Sequence, residues 1–424
     1  MIKDISVKQL KIGMYIEDMA ASWLNHPFLR TKRLIKSEEE IKKIKHYGIL
    51  SVKINTGKGI DTDQPDDVQD LSQAAAPDPT GSEPEVAKPI SSGPNETPPS
   101  APAASTDTVP LRDEMTRMEN VYQDTLNKAR IFLNQAKNGE PIDLEEVSAN
   151  VDALMNSVFR NRYASSTLIK LKTFDEYTYT HSVNVCVLSL TLGRHLDFSP
   201  SLLKTLGIGA IFHDLGKTAV PQEILNKPGP LTEEEFEEMK KHSLFGAKIL
   251  KNTVHISREI IECALYHHEK YNGLGYPKGL KADQIPFLAQ VISLADVYDA
   301  LTSKRVYRGK VSPHETLKIM YGNRGDHFNP ALVAKMVKCL GVYPIGSLVT
   351  LETGEIGLVA DINPDDLIHP QVLLLFDQHA RRRSRPEMLD LSIQPHGSEE
   401  GAHRIVEVEA PEKRGINPAD YLLK

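Results

Sequence analysis

Five histidines and two aspartates stand out by their order along the chain: His181, the pair His213-Asp214, His242, the pair His267-His268, and Asp296. His213 follows His181 by 32 residues, His242 follows His213 by 29, and His267 follows His242 by 25. Each lies in or beside a segment with apolar residues at helical spacing, such as Val183, Val187 and Leu190 after His181. One imidazole on an apolar helix face is usually a satisfied core histidine. Seven such residues in this order fit better as ligands that converge from separate helices, as in the di-metal sites of helical bundles. Imidazole is a neutral, borderline ligand, and carboxylates shift the preference toward harder metals such as manganese and iron. Asp214, next to a ligating histidine, can bridge two cations. Two metals ~3.5–4 Å apart would stabilise an in-line phosphoryl displacement.

The elements that must position these residues are legible as helices with marked ends. Ile260, Ile261, Ala264 and Leu265 have helical spacing, and His267, His268 and Glu269 follow where that helix runs into the loop Gly273-Leu274-Gly275-Tyr276-Pro277. Thr232 with Glu235 forms a capping box, and Leu231 with Phe236 a hydrophobic staple. Asn329-Pro330 opens another helix with proline at its first position. Helical periodicity runs with breaks from Leu111 to about Leu340, beginning with an amphipathic helix over Leu111–Lys137 that could pack on the next domain or pair with a second subunit.

Other modules flank this region. Residues 1–60 read as a small α+β unit, with strand-like patches at Val7, Leu10, Ile12, Met14, Tyr15 and Ile16. A charged helix capped by Ser37 with Glu40 follows, and Ile49, Val52 and Ile54 form a closing strand. Ten of the 27 prolines fall between Pro65 and Pro110 among Ala, Ser, Asp and Glu, which predicts a disordered linker over 61–110. Beyond Tyr343, Ser347–Leu351, Gly357–Ile362 and Val372–Phe376 alternate like strands of a small β module, with Arg381–Arg385 as a solvated loop. The expected architecture is mainly α: an accessory domain over 1–60, a linker over 61–110, a helical connector over 111–160, a helical catalytic domain over 161–342, and a β module with its tail over 343–424.

Composition excludes several classes. A net charge of −7 does not suggest direct binding of nucleic acid, although residues 1–60 hold 12 Lys/Arg against 6 Asp/Glu. No apolar run approaches the ~20 residues that cross a bilayer, and Met1–Ile5 lacks the pattern of a signal peptide. Three cysteines, Cys186, Cys263 and Cys339, form no C-x-x-C pair. They fit reduced thiols in a cytoplasmic protein.

The longer motifs carry a resemblance. His213-Asp214-Leu215-Gly216-Lys217 resembles the signature of the HD phosphohydrolase superfamily. His267-His268-Glu269 followed by Gly275-Tyr276-Pro277 resembles the HD-GYP group of cyclic di-GMP phosphodiesterases. The similarity spans about residues 160–340 and includes Ile224–Thr232 and Asp296-Val297-Tyr298-Asp299-Ala300-Leu301. The two ends also resemble, more weakly, accessory domains that flank one group of these bacterial proteins.

That resemblance implies a helical HD-domain bundle in which His181, His213, Asp214 and Asp296 hold one metal. Asp214 then bridges to a second, held by His242, His267 and His268. It implies catalytic roles for Asp214 and Lys217, and substrate contacts from Lys217, Tyr276, Arg305 and Arg308. Two divalent ions, iron or manganese, are expected. Relatives with a third carry a glutamate one turn before the first histidine; here Tyr177 stands at that position, and Glu176 is roughly 140° away around the helix. The implied reaction opens cyclic di-GMP to linear pGpG, and further to GMP, lowering a messenger that governs biofilm and motility. A homodimer, and a regulatory protein partner on the N-terminal domain, are further expectations. Two alternatives stay open: a cyclic-dinucleotide receptor with little turnover, and an HD hydrolase of another nucleotide such as ppGpp.

Overall fold

The structure, a computed structural model, describes residues 2–18, 33–35, 51–61, 109–161, 177–303, 311–393 and 404–422, with single positions between 37 and 44 and between 163 and 169. The expected linker over 61–110 lies almost wholly outside the described residues. The chain divides into two compact units, Met1–Thr106 and Asp107–Lys424.

In the first unit, β1 (Ile2–Ser6), β2 (Tyr15–Asp18), β3 (Arg33–Leu34) and β4 (Ser51–Asn55) form an antiparallel sheet in the order β1-β4-β2-β3. Ile5 pairs with Val52 and Lys3 with Ile54. Alternation then turns Ile5, Ile16, Val52 and Ile54 to one face, where Ile35, Ile41 and Ile44 join them in a dry core. The Ser37 hydroxyl accepts a hydrogen bond from the Glu40 amide at 3.3 Å, as an N-cap should. Ile12, expected in a strand, is instead exposed in the turn before β2.

The second unit is a helical bundle followed by a sheet. Its long helices are α1 (Leu111–Asn138), α2 (Leu144–Arg160), α3 (Tyr177–His195) and α4 (Pro200–Phe212). After a 3-10 turn (Leu215–Ala219) come α5 (Glu233–Lys240), α6 (His242–Lys251), α7 (Arg258–Tyr266), α8 (Phe287–Thr302), α9 (Pro313–Gly322) and α10 (Pro330–Leu340). The predicted caps are present: the Thr232–Glu235 box closes in both directions, and Asn329 accepts from the Ala331 amide. α1 ends where Gly139 takes φ 71°, a left-handed C-cap that glycine adopts without steric cost.

Two helices define the centre. In α3, Val183, Val185, Cys186, Val187, Leu188 and Leu190 are all buried, and in α8 every residue from Leu288 to Asp296 is buried. A helix that is apolar all round must lie inside a bundle. α3 packs on α4 and α8, and α1 and α2 also pack on α3. These central helices carry His181 and Asp296.

The sheet comprises β5 (Leu348–Leu351), β6 (Ile356–Asp361), β7 (Gln371–Phe376), β8 (Arg382–Asp390) and β9 (Ile405–Glu409), all antiparallel in the order β8-β7-β6-β5-β9. Two of its strands go beyond the sequence reading. β9 pairs with β5, so the sheet continues past Ile393, and the arginine run expected as a loop lies largely on the edge strand β8. Arg383 is tied to Glu355 and, at 2.7 Å, to Glu387, while Arg381 holds Asp377 at 2.9 Å. Charged side chains on an exposed edge deter pairing with another strand.

Candidate metal centre

All but two of the seven predicted ligands lie at or beside helix ends, and this follows from local sequence. α4 stops at Phe212, leaving His213 at its C-cap and Asp214 just beyond at φ −100°, ψ 9°. His242 opens α6, His267 is the C-cap of α7, and His268 follows it. His181 sits in the second turn of α3, and Asp296 lies within α8.

The last turn of a helix leaves carbonyls without partners. Here imidazoles take them. His213 Nδ1 meets the Ala210 carbonyl at 2.7 Å, His267 Nδ1 the Ala264 carbonyl at 3.0 Å, and His242 Nδ1, at the end of α5, the Met239 carbonyl at 2.7 Å. A carbonyl only accepts, so each Nδ1 carries the proton and each Nε2 keeps a lone pair. His181 is supported differently, with Nδ1 donating to Asp299 Oδ2 at 2.7 Å. A metal ligand needs this tautomer and this support behind it.

Those Nε2 atoms surround Asp214. Its Oδ1 lies 3.4 Å from His242 Nε2 and 3.7 Å from His267 Nε2. Its Oδ2 lies 3.3 Å from His213 Nε2 and 3.7 Å from His181 Nε2. Asp296 Oδ1 is 3.1 Å from His181 Nε2, and its Oδ2 is 3.9 Å from His268 Nδ1. Ligand atoms of Asp214, His242, His267 and His268 all fall within 4.8 Å of one another, as do those of His181, His213 and Asp296.

The donor set fits divalent cations. His213 Nε2 and Asp214 Oδ1 are buried with no hydrogen-bond partner. Leaving buried polar atoms in that state is costly without a further group to bind them. Burial acts to raise the Asp214 carboxyl, but Lys217 and His213 outweigh it and hold it well below the usual carboxylate range. Burial likewise opposes ionisation of Asp296, and its His181 hydrogen bond overcomes that in the same direction. Burial pushes His242 down to about 3 and His268 also well down, so both are neutral and ready to ligate. His181 goes the other way: burial is outweighed by Asp296 and Asp299, and its imidazole rises to about 9.

The remaining predicted residues fall in two groups. Lys217 bonds Asp214 Oδ2 from the 3-10 turn. The Tyr276 ring lies 4.8 Å from the His268 ring, centroid to centroid, and Lys240 Nζ is 5.8 Å from the Tyr276 ring centre. Arg305 and Arg308 lie outside the described residues, and so does the side chain of Tyr177, the first residue of α3.

Some residues that build the site were given no role from the sequence, although Glu269, Gly275 and Asp299 lie in its motifs. Glu269 is buried and accepts from the Lys278 amide at 2.7 Å and the Leu280 amide at 3.0 Å, which folds the Tyr276 loop back against α7. Gly275 permits this closure: a Cβ there would lie 2.2 Å from the Lys270 nitrogen. Asp299 and Asn184 stand behind His181. Their signal was present, because a second aspartate three residues after Asp296 on an otherwise apolar helix points to the same place.

A helical bundle that gathers five imidazoles and two carboxylates into two adjoining groups, each able to hold a cation, fits the metal-dependent hydrolase class. The sequence profile of the HD domain matches residues 164–332, a domain of unknown function matches 2–147, and a KOW domain associated with HD domains matches 348–396. A cyclic di-GMP phosphodiesterase of Pseudomonas aeruginosa is 34% identical over 92% of this chain and 89% of its own length. A cyclic di-GMP phosphodiesterase of Thermotoga maritima is 32% identical over 47% of this chain and 63% of its own. A 3′3′-cGAMP-specific phosphodiesterase of Vibrio cholerae is 37% identical over 34% of this chain and 33% of its own. The chain belongs to the HD-domain family. HD domains are metal-dependent, and the His/Asp cluster described above is where this chain could hold metal. Among the described residues, no helix is long and apolar enough to cross a membrane.

Proposed function

We propose that this chain is a metal-dependent phosphodiesterase of the HD-GYP type that hydrolyses cyclic di-GMP to linear pGpG, and further to GMP. The observation that carries the reading is Asp214, whose two oxygens each face a different pair of imidazoles. That is the arrangement a carboxylate needs to bridge two cations. The matching relative from Pseudomonas aeruginosa, aligned over nearly the whole chain, supports the substrate.

His181, His213, Asp214 and Asp296 would hold one ion, and Asp214, His242, His267 and His268 the other, with iron or manganese suited to the mixed nitrogen and oxygen donors. Bound there, the two cations supply Lewis-acid polarisation of the phosphoryl oxygens and lower the pKa of water. The chain's own residues do the rest. The bond that breaks joins phosphorus to the 3′ oxygen; the water oxygen goes to phosphorus and its protons to the departing oxygen and solvent. The ammonium of Lys217, which bonds Asp214, is assigned to neutralise charge gathering on the phosphoryl oxygens. Arg305 and Arg308 are assigned to the ligand phosphates, and Tyr276, packed on His268, to the border of the base or phosphate pocket. The accessory segment over 1–60 is assigned a docking or sensing role.

The deciding experiment is turnover of cyclic di-GMP by anaerobically purified full-length protein with its metal counted, beside Asp214→Ala. Conversion to pGpG with two metals per chain, both lost in the variant, is the expected result. Tight binding without turnover by metal-loaded protein would make the chain a receptor. A parallel arm with 3′3′-cGAMP separates the two phosphodiesterase specificities found among the relatives.

A further inference from the structure

The hydrogen bonds behind His181 continue beyond Asp299. Asp299 is buried, and its Oδ1 accepts from Asn184 Nδ2 at 2.8 Å and from Ser303 Oγ at 3.1 Å. Asn184 lies three residues after His181 on α3, so both side chains leave the same face. The Asn184 Oδ1 in turn accepts from the Tyr122 hydroxyl at 2.7 Å. Tyr122 belongs to α1 and is 0% exposed. It lies outside residues 164–332, which match the HD domain, and inside 2–147, which match a domain of unknown function.

The chain of donors has only one consistent direction. A carboxylate cannot donate, so Asn184 must present its amide nitrogen to Asp299. Its carbonyl end then needs a donor, and in this buried setting the Tyr122 hydroxyl is one. Burial and the charge of Asp299 raise the Tyr122 phenol, so the proton stays on the oxygen. With Asn184 and Ser303 fixing Asp299, the remaining oxygen Oδ2 accepts a hydrogen bond from His181 Nδ1 and leaves His181 Nε2 aimed at Asp214 and Asp296. α1 also packs against the 3-10 turn that carries Lys217.

We propose that Tyr122 is a positioning residue of the metal centre, through which α1 holds His181 in its metal-binding tautomer and orientation by way of Asn184 and Asp299. The proposal rests on the reading that the cluster binds metal. It makes a helix outside the HD segment part of the working site.

The test uses full-length protein as wild type, Tyr122→Phe, Asn184→Ala, the double variant, and Leu126→Ala as a buried apolar control on the same helix. Mn2+ affinity is measured by competition with a chelator, alongside kcat, KM for cyclic di-GMP and Tm. Partners that orient a metal ligand are typically worth about 10–100-fold in affinity, and Tyr122→Phe should lose about tenfold at one Mn2+ site with KM unchanged. Adding it to Asn184→Ala should change Mn2+ affinity no further, whereas Leu126→Ala should lower Tm alone. Wild-type Mn2+ affinity in Tyr122→Phe, or equal losses from Leu126→Ala at equal loss of Tm, would reduce Tyr122 to a packing residue and overturn the proposal. Wild-type protein that binds no Mn2+ would overturn the metal reading and this proposal with it.

Discussion

At the scale of single residues, the tautomers of the imidazoles decide what the site can bind. Asp299 is an acceptor only, and it compels His181 to carry its proton on Nδ1. Asp299→Asn introduces a donor that can turn toward Nδ1 and move the proton to Nε2, the atom that faces Asp214 and Asp296. Metal affinity is expected to fall about 10–100-fold, read by metal titration, with the fold intact by circular dichroism. The buried imidazoles also link stability to pH in the metal-free protein. His242 is pushed down by burial to about 3 when folded, against about 6.5 for an unfolded histidine. Between those values the unfolded chain takes a proton that the folded chain refuses, so this contribution to stability is present above about 6.5 and is lost as pH falls toward 3. His181 has the opposite sign: raised to about 9, it adds stability below about 6.5 that is lost as pH rises to 9. Thermal melts of metal-free wild type and His242→Gln between pH 7 and 5 should show the shallower slope in the variant.

At the scale of elements, the site depends on two close backbone approaches. A Cβ on Gly216 would sit 1.8 Å from the His242 carbonyl oxygen and 2.3 Å from the Gly246 nitrogen. The obstructing atoms are backbone, and no rotamer change can clear them. Gly216→Ala must push the turn carrying Lys217 away from the start of α6, which carries His242. We expect a loss of stability of roughly 1–3 kcal/mol or more, and a turnover defect larger than the shift in Tm alone explains. Denaturant melts and kcat measured together would check it; a stable variant with normal kcat would show the turn to be free to move. Lys217 needs only to follow glycine in sequence to be recognised, but the reason for the glycine lies 30 residues away in α6.

At the scale of the whole molecule, the bundle concentrates acidic and imidazole groups in a buried centre and ties that centre to its outer helices. Arg160, at the end of α2, pairs with the buried Glu114 at the start of α1, with Nε to Oε2 at 2.6 Å and Nη2 to Oε1 at 2.7 Å. α1 is therefore anchored at its start by an ion pair and at its middle by the hydrogen bond to Asn184. Cations that bind only the folded site must stabilise it, by about 2.7 kcal/mol at a free concentration 100 times the dissociation constant. Chelation should lower Tm, and added Mn2+ should restore it in the wild type but not in Asp214→Ala. Calorimetry reads this without reference to activity.

Much of this molecule was legible without coordinates, and for physical reasons that differ by feature. Helix starts show because capping is local: Thr232, Glu235, Asn329 and Ser37 satisfy amides within three residues of themselves. The strands β5, β6 and β7 show as short apolar runs between turn residues. They alternate less than expected because both faces of the sheet are covered, with Val349 and Val372 on one side and Leu348 and Leu358 on the other. The edge strand β8 hides because its burial is slight and its arginines pair with residues outside the strand as well as within it. The seven residues that gather in the two His/Asp groups could be picked out from residue type and order, because a di-metal site admits few other donors. What the sequence by itself could not determine is which oxygen of Asp214 faces which imidazole, or that Asp299, Asn184 and Tyr122 line up behind His181. Those contacts join residues 62 and 115 positions apart. Only the packing of α1, α3 and α8 brings such donors and acceptors within 3 Å, because a hydrogen bond is specified by geometry in space and leaves no local trace in the chain.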